Sequence, residues 1–150
     1  MANAFLDTSA LVKYYHPEDG TPEVTRIVED SSFLYISRLS LVETVSAFAV
    51  KFRTGHIDEQ ELNELRRRFY YDIGQGHFRI MPLTTLRYQE ATQLIERHVR
   101  SRLRTLDALQ LTVALTLSQR GMIDHLVCAD QTLCEIAMAE GLAVINPRGQ

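Results

Sequence analysis

The chain reads as an α/β protein with a mostly parallel central sheet of about five short strands, flanked by helices on both faces. Three observations predict this. Short apolar runs alternate with longer helical patterns along the whole length. The short runs are almost continuously apolar, as strands covered on both faces are. No internal repeat, low-complexity stretch or linker interrupts the alternation, so the 150 residues are assigned to a single domain, 1–150.

The elements follow in order. Residues 4–6 form a short apolar strand that ends in Asp7, and 8–15 continue as a helix broken at Pro17 and Gly20. Thr21 starts a helix with Pro22 at its first position and Val24, Ile27 and Val28 on its apolar face. Residues 33–36 make a second strand bounded by serines. Ser40 opens a long helix, with Leu41, Val42, Val45, Phe48, Ala49 and Phe52 on one expected buried face. After Thr54-Gly55, Asp58 and Glu61 have capping-box spacing for a helix whose stripe is Leu62, Leu65 and Phe69. Gly74 and Gly76 end that helix, and the pair reads as a hairpin inserted between strands. A third strand is expected at 78–83, then a helix marked by Leu86, Ala91, Leu94, Ile95 and Val99. Thr105 starts a strongly apolar helix stopped by Gly121. A strand at 126–129, a helix at 131–140 and a last strand at 142–145 complete the chain.

Composition narrows the class. Hydrophobic content of 45% and charged content of 23% are ordinary for a soluble globular protein. No apolar run approaches the ~20 residues that span a membrane, and no signal peptide is visible. Cys128 and Cys134 give neither a disulfide framework nor a metal-type pair, so the chain reads as reduced and cytoplasmic. The net charge of −3 argues against gripping nucleic acid through overall charge. Local charge is more informative. Of the 16 basic residues only Lys13 and Lys51 are lysine. Arginines cluster at Arg66, Arg67 and Arg68, and again at Arg97, Arg100, Arg102 and Arg104, which run straight into Asp107. Arginine suits bidentate contact with phosphate. Either cluster also fits a solvated helix face or a partner interface.

Four acids carry the chemistry: Asp7, Glu43, Asp107 and Asp130. Each has an ordinary structural reading. Asp7 and Asp130 can cap the helices that follow them. Glu43 lies three residues after Ser40, as in a capping box, and Asp107 lies in a first helical turn with Thr105 as the expected cap. As a set they all fall at strand ends or in the helical turns that follow. Those positions share the carboxyl edge of a parallel sheet, where ligands bind. Converging carboxylates repel, and a divalent cation removes that cost. Oxygen donors without Cys or His point to Mg²⁺ or Mn²⁺. Such a site suits phosphoester hydrolysis by a metal-activated water. The hydroxyls of Thr8 and Ser9 lie within reach, to contact substrate or water or simply to start the helix. Phosphate-binding glycine loops, nucleophile elbows and paired metal-spaced histidines are absent from the sequence.

The segments Phe5-Leu6-Asp7-Thr8-Ser9-Ala10-Leu11, Ser37-Arg38-Leu39-Ser40-Leu41-Val42-Glu43, Leu106-Asp107-Ala108-Leu109-Gln110-Leu111 and Cys128-Ala129-Asp130-Gln131-Thr132-Leu133 together resemble the four acidic motifs of PIN-domain proteins, in order and over essentially the whole chain. At this size the chain is most similar to VapC toxins of toxin–antitoxin pairs. The resemblance implies a Mg²⁺- or Mn²⁺-dependent ribonuclease with Asp7, Glu43, Asp107 and Asp130 as its acidic site. It also implies a homodimer and a VapB-like antitoxin that inserts a basic side chain into the acidic pocket. The arginines from Arg97 to Arg104 would then steer RNA. One departure is Cys128, where many relatives carry Thr or Ser. The alternatives are another metal-dependent phosphoesterase, such as a DNA nuclease or phosphatase, and a catalytically silent partner-binding module.

Overall fold

The computed structural model describes residues 2–149; Met1 and Gln150, the ends of the expected 1–150 domain, lie outside the described residues. The described residues form five strands and seven helices: β1 (Ala4–Leu6), α1 (Thr8–Tyr15), α2 (Thr21–Asp30), β2 (Leu34–Ser37), α3 (Leu39–Arg53), α4 (Glu59–Gly74), β3 (Arg79–Met81), α5 (Thr85–Arg97), α6 (Thr105–Gln119), β4 (His125–Val127), α7 (Gln131–Ala139) and β5 (Val144–Ile145). The strands pair in the order β3-β2-β1-β4-β5, and every pairing is parallel. The chain builds outward from β1 to β3, then returns to the other side of β1 with β4. The order therefore reverses between β1 and β4, and a crevice opens at their carboxyl ends.

The short strands are apolar because both of their faces are covered. Side chains alternate across a strand. Ala4 and Leu6 of β1 and Leu34 and Ile36 of β2 enter one core with α1 to α4. Phe5 and Tyr35 point the other way, into a core with α6 and α7. Tyr15, Phe48 and Phe69 lock α1, α3 and α4 together by edge-on ring contacts at 5.4–6.2 Å. Helix α6 is buried nearly all round, which explains its continuous apolar sequence. None of the described helices is long and apolar enough to cross a membrane.

The element order matches the sequence reading, and several local expectations change. The buried stripe of α3 is Ser40, Thr44 and Phe48, with Leu41 and Val45 partly covered. Val42 and Phe52 face outward. Hydroxyl residues at the inner positions hid the true face from a pattern based on hydrophobicity. Ser40 is not a cap either: the helix begins one residue earlier, and Ser40 is fully buried inside it. Thr105 is likewise the first residue of α6 and not its cap, which is Arg104. The third strand is shorter than expected, and Leu86 and Val99 are exposed.

Candidate active site

The crevice between β1 and β4 is lined by the acids. Strand β1 ends at Leu6, and the backbone N–H of Asp7 donates to Val127 of β4 at 3.1 Å. This ties Asp7 to the switch point. Its side chain accepts from the Ala10 backbone N–H at 3.1 Å and so caps α1. The capping role and the site role therefore coexist on one residue. Ser9 fixes the same carboxylate: its hydroxyl donates to Asp7 Oδ1 at 2.6 Å and accepts from the Ala129 backbone N–H at 3.0 Å. Asp7 is only 4% exposed. Burial pushes its carboxyl up to about 6, with Asp107 adding to the rise and hydrogen bonds from Ser9, Ala10 and Cys128 opposing it. The thiol of Cys128, where the sequence resemblance led to a hydroxyl, donates to the Asp130 carbonyl at 3.5 Å.

On the neighbouring strand side, α3 carries Glu43 towards Thr8. The Thr8 hydroxyl donates to Glu43 Oε1 at 2.7 Å and lies 3.0 Å from Ser40 Oγ. Gln110, from the buried helix α6, completes the group. Its Nε2 donates to Thr8 Oγ1, Ser40 Oγ and Glu43 Oε1 at 2.9–3.0 Å. Of these oxygens only the Glu43 carboxylate is restricted to accepting, and it assigns this end of the amide as nitrogen. Sequence reasoning missed Gln110 and gave Ser40 the wrong role. The available signal was polarity: Gln110 interrupts an otherwise apolar helix three residues after Asp107.

The far side of the cleft is organised by Arg104. Its Nε donates to Asp107 Oδ2 at 3.1 Å, and its outer nitrogen lies 3.6 Å from Asp130 Oδ2. Asp130 also caps α7, accepting from the Leu133 N–H at 2.9 Å. Burial pushes the Asp107 carboxyl up; Arg104 opposes that rise, and Asp130 and Glu43 add to it. The fields of Asp107, Asp130 and Glu43 in turn hold the Arg104 guanidinium in its charged form.

The expectation that all four acids converge on one point is met in part. Asp7 and Asp107 feel each other's charge, and Asp107 and Asp130 share one arginine. Glu43 is turned to Thr8 and Gln110. Among the described residues no three Asp, Glu, His or Cys side chains stand close enough to share an ion in this arrangement. One guanidinium, that of Arg104, lies between Asp107 and Asp130. The donor set nonetheless fits a hard divalent cation: it is all oxygen, and crowding and burial push two of its carboxyls up.

The other arginines separate by partner. Arg97 donates to both oxygens of Glu140 at 2.8–3.0 Å, and His98 lies 2.7 Å from the same carboxylate. Arg97 thus ties the end of α5 to the end of α7. Arg100 and Arg102 are exposed beside the cleft segment. In the other cluster, Arg67 pairs with Glu64, and Arg68 donates to the Tyr15 carbonyl at 3.2 Å and stacks over its ring.

Comparison with known proteins agrees with this fold. The PIN domain family model matches residues 4–144. The fold is similar to that of FitAcB from Neisseria gonorrhoeae, at 20% identity and TM-score 0.65, covering 96% of this chain and 97% of that one. It is also similar to the sarcin-ricin loop cleaving toxin VapC20 of Mycobacterium tuberculosis, at 17% identity and TM-score 0.68, covering 96% and 99%. VapBC2 of Rickettsia felis, solved with a fragment of promoter DNA, matches at 15% identity and TM-score 0.62, covering 96% and 98%. At these identities the likeness establishes the fold. No curated protein matches the chain by sequence.

Proposed function

The chain belongs to the PIN domain family, and from that premise we propose that it is a metal-dependent endoribonuclease, the toxin of a VapBC-type toxin–antitoxin pair acting in the cytoplasm. The observation that carries the reading is the placement of Asp7, Asp107 and Asp130 around the carboxyl ends of β1 and β4, with two of the carboxyls raised by burial and mutual charge. Asp7, Asp107 and Asp130 would hold Mg²⁺ or Mn²⁺, with Glu43 beside them. Such an ion supplies Lewis-acid polarisation of a phosphoryl oxygen and a more acidic water.

The chain's own groups do the rest. Glu43, kept in place by Thr8, Ser40 and Gln110, orients the attacking water and takes its proton, or serves as ligand to a second ion. Ser9 holds Asp7 and presents its hydroxyl towards substrate or water. With Asp107 and Asp130 engaged by a cation, Arg104 would be free to meet phosphate, with Arg100 and Arg102 steering the RNA strand from the rim. Arg97 contributes by fixing the segment to Glu140.

The partner reading follows from the same electrostatics. A basic side chain from a VapB-like antitoxin would pair with the acids where Arg104 now lies. The outward apolar residues on either side of the Thr54-Gly55 turn, Val42 and Phe52 on α3 and Tyr70 and Tyr71 on α4, offer surface for the antitoxin or for a second copy in a homodimer.

The test is cleavage of a total RNA pool by purified chain, with Mg²⁺ or Mn²⁺ against EDTA, beside Asp7→Asn. Discrete fragments that require both metal and Asp7 are expected. Equal cleavage by the mutant would overturn the assignment.

A further inference from the structure

A second polar feature adjoins the acidic cleft and is not used by the mechanism above. A groove of about 540 Å³ starts at Thr8, Ser9 and Asp130 and runs along α1 and α3. Val12, Ala47 and Val50 form its apolar floor. The only two lysines in the sequence, Lys13 and Lys51, both line it. They come from different helices and meet on one carboxylate, that of Glu18: Lys13 Nζ lies 3.0 Å from Oε1 and Lys51 Nζ lies 2.8 Å from Oε2.

The lysine pair is built rather than incidental. The Lys13 side chain is 10% exposed and that of Lys51 is 19% exposed, unusual for lysine. The stem of Lys13 is clamped by the loop that follows α1. A Cβ on Gly20 would meet Lys13 Cδ at 3.3 Å and the Pro147 backbone at 3.2 Å, so glycine lets the loop close on the stem. Thr21 locks the loop, donating to the Lys13 carbonyl at 2.8 Å and accepting from the Glu18 N–H at 2.9 Å. Burial pushes the Glu18 carboxyl up, but hydrogen bonds from Lys51 and Lys13 outweigh it and hold it below the usual range. Two fixed cations thus share one anion beside a cleft suited to phosphate; with Arg148, which also lines the groove and pairs with Asp19, its cations outnumber the lining acids Glu18 and Asp130 by one.

We propose that this groove is a phosphate subsite for the RNA strand: Lys13 and Lys51 bind a backbone phosphate flanking the scissile one, and Glu18 holds the two ammonium groups in place until RNA takes them over. The inference rests on the ribonuclease reading above. The apolar floor lets a ribose or base lie against Val12 and Val50 while the phosphate meets the lysines. The subsite recognises backbone and not sequence.

The experiment is binding of a short fluorescein-labelled single-stranded RNA, followed by anisotropy over a salt series with Mg²⁺ present. It uses the full chain in an Asp7→Asn background, where Asn retains the oxygen that caps α1. Lys51→Met should weaken binding roughly 10-fold. It should also make the slope of log affinity against log salt shallower by about 0.7, one contact on a single strand. Glu18→Gln keeps the shape and removes the competing charge, so it should tighten binding several-fold. A merely structural ion pair predicts a different result: Glu18→Gln lowers the melting temperature and does not tighten RNA binding. Unchanged affinity and slope in Lys51→Met, or binding that is no tighter in Glu18→Gln, overturns the subsite while leaving the ribonuclease reading standing. Failure of every form to bind RNA overturns both.

Discussion

One wall of the acidic cleft is buried and held by hydrogen bonds; the other is half open and held by ion pairs. On the first wall Asp7 sits between Ser9, Ala10 and Cys128, and Glu43 between Thr8 and Gln110. On the second, Asp107 and Asp130 share Arg104, whose side chain is 74% exposed. Hydrogen bonds in a buried site fix geometry and are costly to break. An exposed ion pair is worth ~0–1 kcal/mol and exchanges readily. On the proposed ribonuclease reading, the buried wall would set where the chemistry occurs, and the open wall would be the part that a cation, a phosphate or a partner's basic side chain rearranges.

The largest expected effect comes from Asp7→Asn, because Asp7 has opposite roles in activity and stability. Cleavage should fall below detection. Stability should rise. The folded carboxyl is pushed up to about 6, so folding favours its protonated form. That contribution is fully present below the ordinary Asp value near 3.9 and is lost as pH rises through about 6. At neutral pH the ionised group costs on the order of 2–3 kcal/mol. The mutant should then melt roughly 5–10 °C higher at neutral pH. The gap should close near pH 4, where the native carboxyl is protonated too. Scanning calorimetry across this pH range checks the sign. Mn²⁺ should raise the wild-type melting temperature at neutral pH and move the mutant little.

Gln110→Leu probes the same wall from behind. It removes the donor shared by Thr8, Ser40 and Glu43 and leaves these three bound only to one another. Loss of about 1–3 kcal/mol of stability is expected. Cleavage should drop by roughly 100-fold through kcat, the low end of what general acid–base assistance contributes. Because Gln110 acts through Glu43, Gln110→Leu should cost little further activity in a Glu43→Gln background. Additive losses in the double mutant would show that the two residues act separately.

The unequal walls also explain what could be read from sequence. The order of elements and the positions of Asp7 and Asp130 were legible because an apolar run followed by an acid places that acid at a strand end in any parallel sheet; Asp107 was legible from the first turn of its helix, which follows α5 and not a strand. The buried wall was less legible. Ser40, Thr44 and Gln110 are polar residues inside the fold, and a hydrophobic pattern assigns such residues to the surface. That is why α3 was given a face containing Val42, which is 70% exposed. The partners of the arginines were not legible at all. Arg97 and Glu140 lie 43 residues apart, and only the packing of α5 and α7 brings them together.

Arg104→Ala addresses the open wall and should have the smallest effect on stability, below ~1 kcal/mol for so exposed a side chain. Its effect on ligands should be larger and should split by charge. The guanidinium competes with a cation for Asp107 and Asp130. Its removal should tighten Mn²⁺ binding several-fold by titration calorimetry. The same change should weaken RNA binding, because a cation at the cleft mouth is lost. If Arg104 were only a structural brace, its loss would loosen both carboxylates and weaken Mn²⁺ binding instead. The direction of the calorimetric change therefore decides whether the open wall is held by an exchangeable charge or by a fixed strut.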